Sequence, residues 1–317
     1  DICIHTGDLF DNRNQIPIDV LNDVLSILEE ISSILPMYIL VGNHDIFTKA
    51  SNDINTPKLY KYMPNVHIIE ETTVINYCDN DLVLMPWVEK KSDQIKLIQK
   101  YRGDYLFCHS DLNGAKMHLS SVAHKNLDKI DVDEFKSYKH VYSGHIHLVQ
   151  HSKNFTFIGS IIQMDRNDYG NRKGVFILDL KSDEVEFIEN DYSPEFKQVV
   201  VNSEEDIQKL ESIDTAKNYV DLKISNNLLV NSRKTRRKLE LVLEKGGFSD
   251  IEYINDIKGE EIINEELSNI DLDKVKIDNY EELIVSYIES QNYESDKIKK
   301  GIKEELTKIF DMYKING

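Results

Sequence analysis

Apolar positions recur in two rhythms along the first 190 residues. Between Ile16 and Leu35 they fall at Ile18, Leu21, Val24 or Leu25, Leu28 and Ile31. These share one face of a 3.6-residue period, so an amphipathic helix is expected, with Pro17 in its first turn. On either side, "DICIH" (1–5) and "MYILV" (37–41) are short and nearly all apolar, as strands are in a sheet covered on both faces. "VHIIEE", "TVINY" and "DLVLMPW" continue the strand rhythm as far as Trp87. A helix is expected near 91–101, then strand "DYLFC", a long polar loop, a helix over "DVDEFKSY" and strand "KHVYSG". Residues 154–158 and 173–180 read as strands, and "EVEFIE" pairs with the latter through a "KSD" turn. Strand and helix alternate, which is α/β with the strands gathered in layers.

The rhythm breaks at "YSPE" (192–195). After it come strand "FKQVVV", helix "SEEDIQKLESI", strand "YVDLKI", helix "SRKTRRKLELVLEKGG" and strand "DIEYI", a small α+β module. From about 256 the chain turns acidic and polar, as a linker does. Residues 279–313 carry two amphipathic helical patterns, one through Leu283, Ile284, Tyr287 and Ile288, the other through Ile298, Ile302 and Leu306. So far from the main core, such faces await a partner helix.

Composition narrows the class. Hydrophobic residues make up 40% of the 317, enough for a core, and no run approaches the roughly 18 apolar residues of a membrane span. Three cysteines, Cys3, Cys78 and Cys108, argue against a disulfide framework and for a reducing compartment. The formal net charge is −18, which gives no electrostatic footprint for nucleic acid. Nucleic-acid contact would therefore rest on local basic patches, metal ions or a partner subunit. Arg13, Arg166, Arg172 and Lys173 lie beside the motif loops described next and could hold a DNA backbone. "SRKTRRK" (232–238) reads as a solvated helix face, His118 and His124 as surface residues, His5 as a packed residue and Trp87 as core.

Four stretches end or closely follow predicted strands: "HTGDLFDNR" (5–13), "GNHD" (42–45), "CHSD" (108–111) and "GHIH" (144–147). Each places Asp, Asn or His at a strand's carboxyl end, where open α/β sheets bind ligands. Both histidines of "GHIH" reach one site only if the backbone bends, which Gly144 permits. Together Asp8, Asn43, His109, His145 and His147 make a mixed oxygen and imidazole set, suited to Mn²⁺, Fe or Zn²⁺ rather than Ca²⁺. Two such metals need a bridging carboxylate, and Asp8 is the natural bridge. His44 is then free to act on substrate as a catalytic residue, with Asp45 expected to orient it.

The order GD…GNHD…H…GHxH resembles the calcineurin-like metallophosphoesterase superfamily. "GDLFDNR", "LMPW", "CHSDLNG", "VYSGHIH", "FIGS" and "RKGVFILDL" are similar to the SbcD nuclease family within it, nearest its members from T-even phages. The resemblance is specific over residues 1–190 and fainter beyond. It implies a first metal site with Asp8 and His147, and a second with Asp8, Asn43, His109 and His145. The family opens with an Asp-x-His motif ahead of "GDLFD", and that motif is expected upstream of Asp1. The implied fold is a two-sheet α/β metallophosphoesterase sandwich flanked by helices, with a small α+β capping domain and a C-terminal helical tail. The expected layout is a nuclease domain over 1–192, a capping domain over 193–256, a linker over 257–278 and an ATPase-binding helix pair over 279–317.

The implied function is that of a DNA exonuclease and endonuclease subunit of an SbcC–SbcD-type recombination and double-strand-break repair complex. It would use two Mn²⁺, with Mg²⁺, Fe or Zn²⁺ as alternatives. Its partners would be DNA, a coiled-coil ABC ATPase of SbcC type and a second copy of itself, in a bacterial or phage-infected host cytoplasm. The rivals are a stand-alone phosphatase or phosphodiesterase and an inactive scaffold of the same fold.

Overall fold

In β2 (Met37–Leu40) successive side chains enter different cores. Met37 and Ile39 point to a helix, and Tyr38 and Leu40 to a second sheet, as the two-residue period of a strand requires. The same split recurs in β7 (Asn80–Met85): Leu82 and Leu84 face the first sheet, while Val83 and Met85 face away from it. Two sheets therefore lie back to back, each backed by its own helix.

The computed structural model describes residues 1–254 apart from 49, 50, 120, 122–125, 127, 211, 227 and 229–232. The expected linker, the helix pair at 279–313 and His124 lie outside the described residues. The first sheet has the order β1-β2-β5, all parallel, with β1 at Cys3–His5 and β5 at Val66–Ile69. The second sheet has six strands, in the order β10-β11-β9-β8-β7-β6. These are β6 (Thr73–Tyr77), β7, β8 (Tyr105–Cys108), β9 (His140–Ser143), β10 (Gln150–Ser152) and β11 (Phe155–Phe157). Its four central strands run parallel, and β6 and β10 close the edges antiparallel. Helix α1 (Ile18–Ile34) covers the first sheet through Leu21, Val24, Leu25, Leu28 and Ile31. Helix α2 (Lys91–Lys100) covers the second through Ile95, Leu97 and Ile98. This is the expected two-sheet sandwich.

Some elements depart from expectation. Ile18 is 78% exposed and takes no part in the apolar face of α1, which begins at Leu21. "DVDEFKSY" forms only a 3₁₀ turn at Val132–Phe135, enough to bury Phe135. The hairpin of β3 (Ile46–Thr48) and β4 (Ser51–Asn55) was not foreseen, since "SNDIN" has no apolar alternation. The expected pairing of "KGVFILDL" with "EVEFIE" is found as β12 (Gly174–Asp179) against β13 (Glu184–Glu189).

Beyond Ser193 a parallel sheet, β14-β15-β16 (Phe196–Val201, Tyr219–Ser225, Asp250–Ile254), has its own apolar core. It is backed by helix α3 (Glu204–Leu210) and the helix Arg233–Glu244. On that second helix, Arg236 and Arg237 pair with Glu240, and Lys238 pairs with Glu204, so much of the basic run is neutralised within the module.

Candidate metal centre

The sandwich places the carboxyl ends of β1, β2, β8 and β9 side by side. All four motif loops leave from these ends, so the topology alone gathers them. Close packing then sets the details. A side chain at Gly42 would put its Cβ 2.2 Å from both the backbone nitrogen and Oδ1 of Asp8, so only glycine lets the two loops touch. Gly144 is required for approach rather than for bending: a Cβ there would lie 2.6 Å from the Thr6 carbonyl oxygen. The bend falls on His145 itself, at φ 77°, and Asp8 is likewise left-handed at φ 56°. Left-handed backbone at a non-glycine residue costs on the order of 1–3 kcal/mol and gathers at functional sites.

Asp8, His109 and His145 offer ligand atoms that all lie within 4.8 Å of one another. His109 is fully buried, and its Nδ1 lies 2.7 Å from the Thr6 carbonyl oxygen. A carbonyl only accepts, so Nδ1 carries a proton and Nε2 is the nitrogen turned into the site. Nε2 faces Asn43 Oδ1 at 2.9 Å and Asp8 Oδ2 at 3.1 Å. His145 Nδ1 converges on the same Asn43 oxygen at 2.8 Å. Electron-rich atoms this close require positive charge between them, either a proton on a wholly buried ring or a metal cation. Turning the Asn43 amide over would relieve its own two contacts but leave Asp8 Oδ2 against His109 Nε2, where a proton or a cation must still lie between them. The donor set fits a divalent transition metal.

The surrounding charges agree. Burial opposes the ionised form of Asp8, but His109 and the His44 backbone N–H, 2.8 Å from Oδ1, outweigh it and hold the carboxyl below its usual range. Burial likewise opposes Asp111, but His145, 3.8 Å away, and Lys129, at 2.7 Å, lower it. Asp111 and the Thr6 carbonyl thus stand behind the two imidazoles, as orienting partners of metal-binding histidines do. Loss of hydration, and next the neighbouring His109, push His5 down to about 4, so it is a neutral packed ring beneath the site.

Asp45 does not stand against the His44 ring. It is fully buried, and its carboxylate accepts from the backbone N–H groups of Asp8 (2.9 Å), Gly42 (2.8 Å) and Phe10 (3.2 Å) and from the Thr56 hydroxyl (3.3 Å). It ties the β1 and β2 loops together. The group beside His44 is Asp11, whose carbonyl oxygen is 2.8 Å and carboxylate 3.7 Å from Nδ1. The His44 side chain is 43% exposed at the mouth of the site.

Trp87 is not core. Its half-buried ring lies 5.1 Å from His145 and 5.8 Å from His109, and its indole N–H donates to Glu89 at 3.2 Å. It walls the site, and it is the only tryptophan of the chain. Titration with Mn²⁺ is therefore expected to quench its emission saturably, and EDTA to restore it.

His147 stands outside the tight three-residue cluster and is exposed. Of the four basic candidates, Lys173 is only 4% exposed and cannot reach a DNA backbone. Arg166 makes a two-bond pair with Asp221 of β15, and Arg172 pairs with Glu189 over the Phe187 ring. Arg13 is half-buried beside the Asp11 loop. Sequence reasoning missed the roles of Asp11, Asp111 and Trp87. All three sit in or beside the quoted motifs, but their partners are remote in sequence.

Residues 1–155 match the calcineurin-like phosphoesterase family. The chain is 27% identical over 192 residues to exonuclease subunit 1 of Enterobacteria phage T4, covering 59% of this chain and 55% of that protein. It is 29% identical over 174 residues to putative phosphoesterase 244L of Invertebrate iridescent virus 6, covering 51% and 58%. With putative phosphoesterase 078R of Invertebrate iridescent virus 3 the identity is 28% over 177 residues, covering 51% and 48%. The chain thus spans about half the length of the curated relatives it matches. No helix among the described residues is long and apolar enough to cross a membrane.

Proposed function

Given a calcineurin-like phosphoesterase domain over residues 1–155, we propose that the protein is a Mn²⁺-dependent DNA nuclease. In this reading it is the exonuclease and endonuclease subunit of an SbcC–SbcD-type recombination and double-strand-break repair complex. The observation that carries the metal reading is the convergence of His109 Nε2, His145 Nδ1, Asn43 Oδ1 and Asp8 Oδ2 on one point. The likeness to a phage exonuclease subunit supports DNA as the substrate.

Asn43, His109 and His145 would hold one Mn²⁺, His147 would serve a second, and Asp8 would bridge them. Bound divalent metals supply charge stabilisation at a phosphoryl centre and a water that ionises near neutral pH. The protein's part is positional. Thr6 fixes which nitrogen the buried His109 ring presents, and Asp111 sets a negative charge 3.8 Å behind His145. Asp45 locks the two ligand-bearing loops to each other. His44 Nδ1–H donates a hydrogen bond to the Asp11 carbonyl oxygen, which turns Nε2 toward the substrate; in the imidazolium form, the Nε2 proton would pass to the leaving oxygen and the ring would end neutral. Asp11→Ala keeps that carbonyl and removes only the carboxylate 3.7 Å from Nδ1, so it is expected to lower kcat by well under the roughly 10²-fold that loss of a positioned acid or base costs, with Mn²⁺ affinity unchanged. A matching fall in Mn²⁺ affinity would place Asp11 in the metal shell instead.

Arg13 would hold the DNA backbone, in this reading, with further grip from the ATPase partner, which suits a chain of net charge −18. Residues 193–256 would cap the nuclease domain, and 279–317 would bind the coiled coil of an SbcC-type ATPase in a homodimer-based assembly in the host cytoplasm. Deleting 279–317 is expected to abolish co-purification with that ATPase and to leave Mn²⁺ binding intact; retained co-purification contradicts the assignment. The activity is tested with linear double-stranded DNA and Mn²⁺, with and without the ATPase. Metal-dependent cleavage is expected, whereas hydrolysis of phosphomonoesters alone would make the protein a phosphatase.

A further inference from the structure

Lys173 is a charged side chain with no route to solvent, and every proton of its ammonium is used. Nζ donates to the His147 carbonyl oxygen, to Ser160 Oγ and to Asp168 Oδ1, each at 2.8 Å. Asp168 is 3% exposed. Its carboxylate also accepts from Met164 N (2.8 Å) and Asn171 Nδ2 (2.9 Å). The backbone N–H of Ser160 donates to the same His147 oxygen at 3.3 Å. Behind it, a Cβ at Gly159 would lie 3.0 Å from that oxygen, so the segment passes as close as a backbone can.

A buried ion pair is a poor source of stability, because desolvating two charges offsets most of their attraction. What this one does is geometric. Two stretches with no part in the chemistry above, "FIGS" and "RKG", meet here, and both grip one atom, the carbonyl oxygen of His147. On the far side of the same segment, Gln163 Oε1 accepts from Phe196 N at 2.6 Å, and Arg166 pairs with Asp221, so the segment is held from both flanks.

We propose that residues 159–173 form a strap, pinned by the Lys173–Asp168 pair, whose task is to position His147 for metal binding. Lys173 is thus a positioning residue rather than a DNA contact. The inference rests on the two-metal reading above, in which His147 serves one metal and His109 and His145 the other.

Lys173→Met alone leaves Asp168 charged and buried, so it can fail to fold. The test uses Lys173→Met with Asp168→Leu, which removes both charges, alongside His147→Ala and the triple variant. Free Mn²⁺ is counted by its aqueous electron paramagnetic resonance signal, and folding is checked by circular dichroism. The double variant is expected to weaken the binding of one Mn²⁺ about 10–100-fold, the usual effect of losing an outer-shell partner. His147→Ala is expected to weaken the same phase, and the triple variant to lose little more, because residues acting as one unit are not additive. A folded double variant with wild-type affinity overturns the inference, as does a fully additive loss in the triple variant. No Mn²⁺ uptake by the wild type would instead overturn the metal reading itself. If the double variant fails to fold, the arm that decides is Ser160→Ala, which removes one Lys173 partner and keeps the charges. A weaker phase in Ser160→Ala that is non-additive with His147→Ala supports the strap, and an unchanged one overturns it.

Discussion

Replacing His44 by Ala is expected to cut DNA cleavage about 10²–10⁴-fold, the usual contribution of a positioned acid or base, while Mn²⁺ binding stays at the wild-type level. The two halves of this prediction come from different observations. The ring is held at Nδ1 by the Asp11 carbonyl and is not among the proposed ligands, so its loss is expected to remove none. It is also 43% exposed with Nδ1 committed to Asp11, so its other nitrogen is left open to an incoming phosphate. Mn²⁺ uptake and single-turnover cleavage, measured on one preparation, check both halves. Unchanged cleavage would remove His44 from the mechanism. Lost Mn²⁺ binding would make it a ligand or a scaffold residue.

The second large effect is expected at Asp8. Its carboxylate meets His109 Nε2 through one oxygen and the His44 backbone N–H through the other. Asp8→Asn keeps the shape and removes the charge that offsets a cation. Losing even an outer-shell partner typically costs 10–100-fold in metal affinity. A bridging ligand should cost more, and cleavage should fall to background. Because the left-handed backbone at Asp8 is tolerated by Asn, folding should survive, which circular dichroism would confirm. An Asp8→Asn protein that binds Mn²⁺ like wild type would show that Asp8 is not the bridge.

The sequence reveals the site's main residues because their arrangement follows from topology. Asp8, Asn43, His109 and His145 each follow a strand of a sheet whose apolar period is plain, and parallel strands bring their carboxyl ends together. Asp11, Trp87 and Asp111 escaped because what defines them is a contact across loops. No spacing announces that Asp11 reaches a ring 33 positions away, or that Trp87 turns from the core to lie against two imidazoles. Asp45 was misread for the opposite reason. Adjacency in sequence suggested that it served His44, yet the tight turn at Gly42–Asp45 sends the two side chains to different partners. Lys173 reads from sequence as a DNA contact because a basic residue in a polar loop beside the motifs is expected to be accessible, and only packing shows it enclosed. The β3–β4 hairpin is hidden because β3 has only three residues and β4 is mainly polar, held by backbone bonds and by the side chains of Asn52 and Asn55.

The central claim is that Asp8, Asn43, His109 and His145 surround a divalent cation. Anomalous diffraction at the manganese edge, from crystals of the protein soaked in Mn²⁺, tests it most directly. A peak coordinated by these four side chains is the predicted result. A map with no manganese among them, while the fold remains intact, would contradict it.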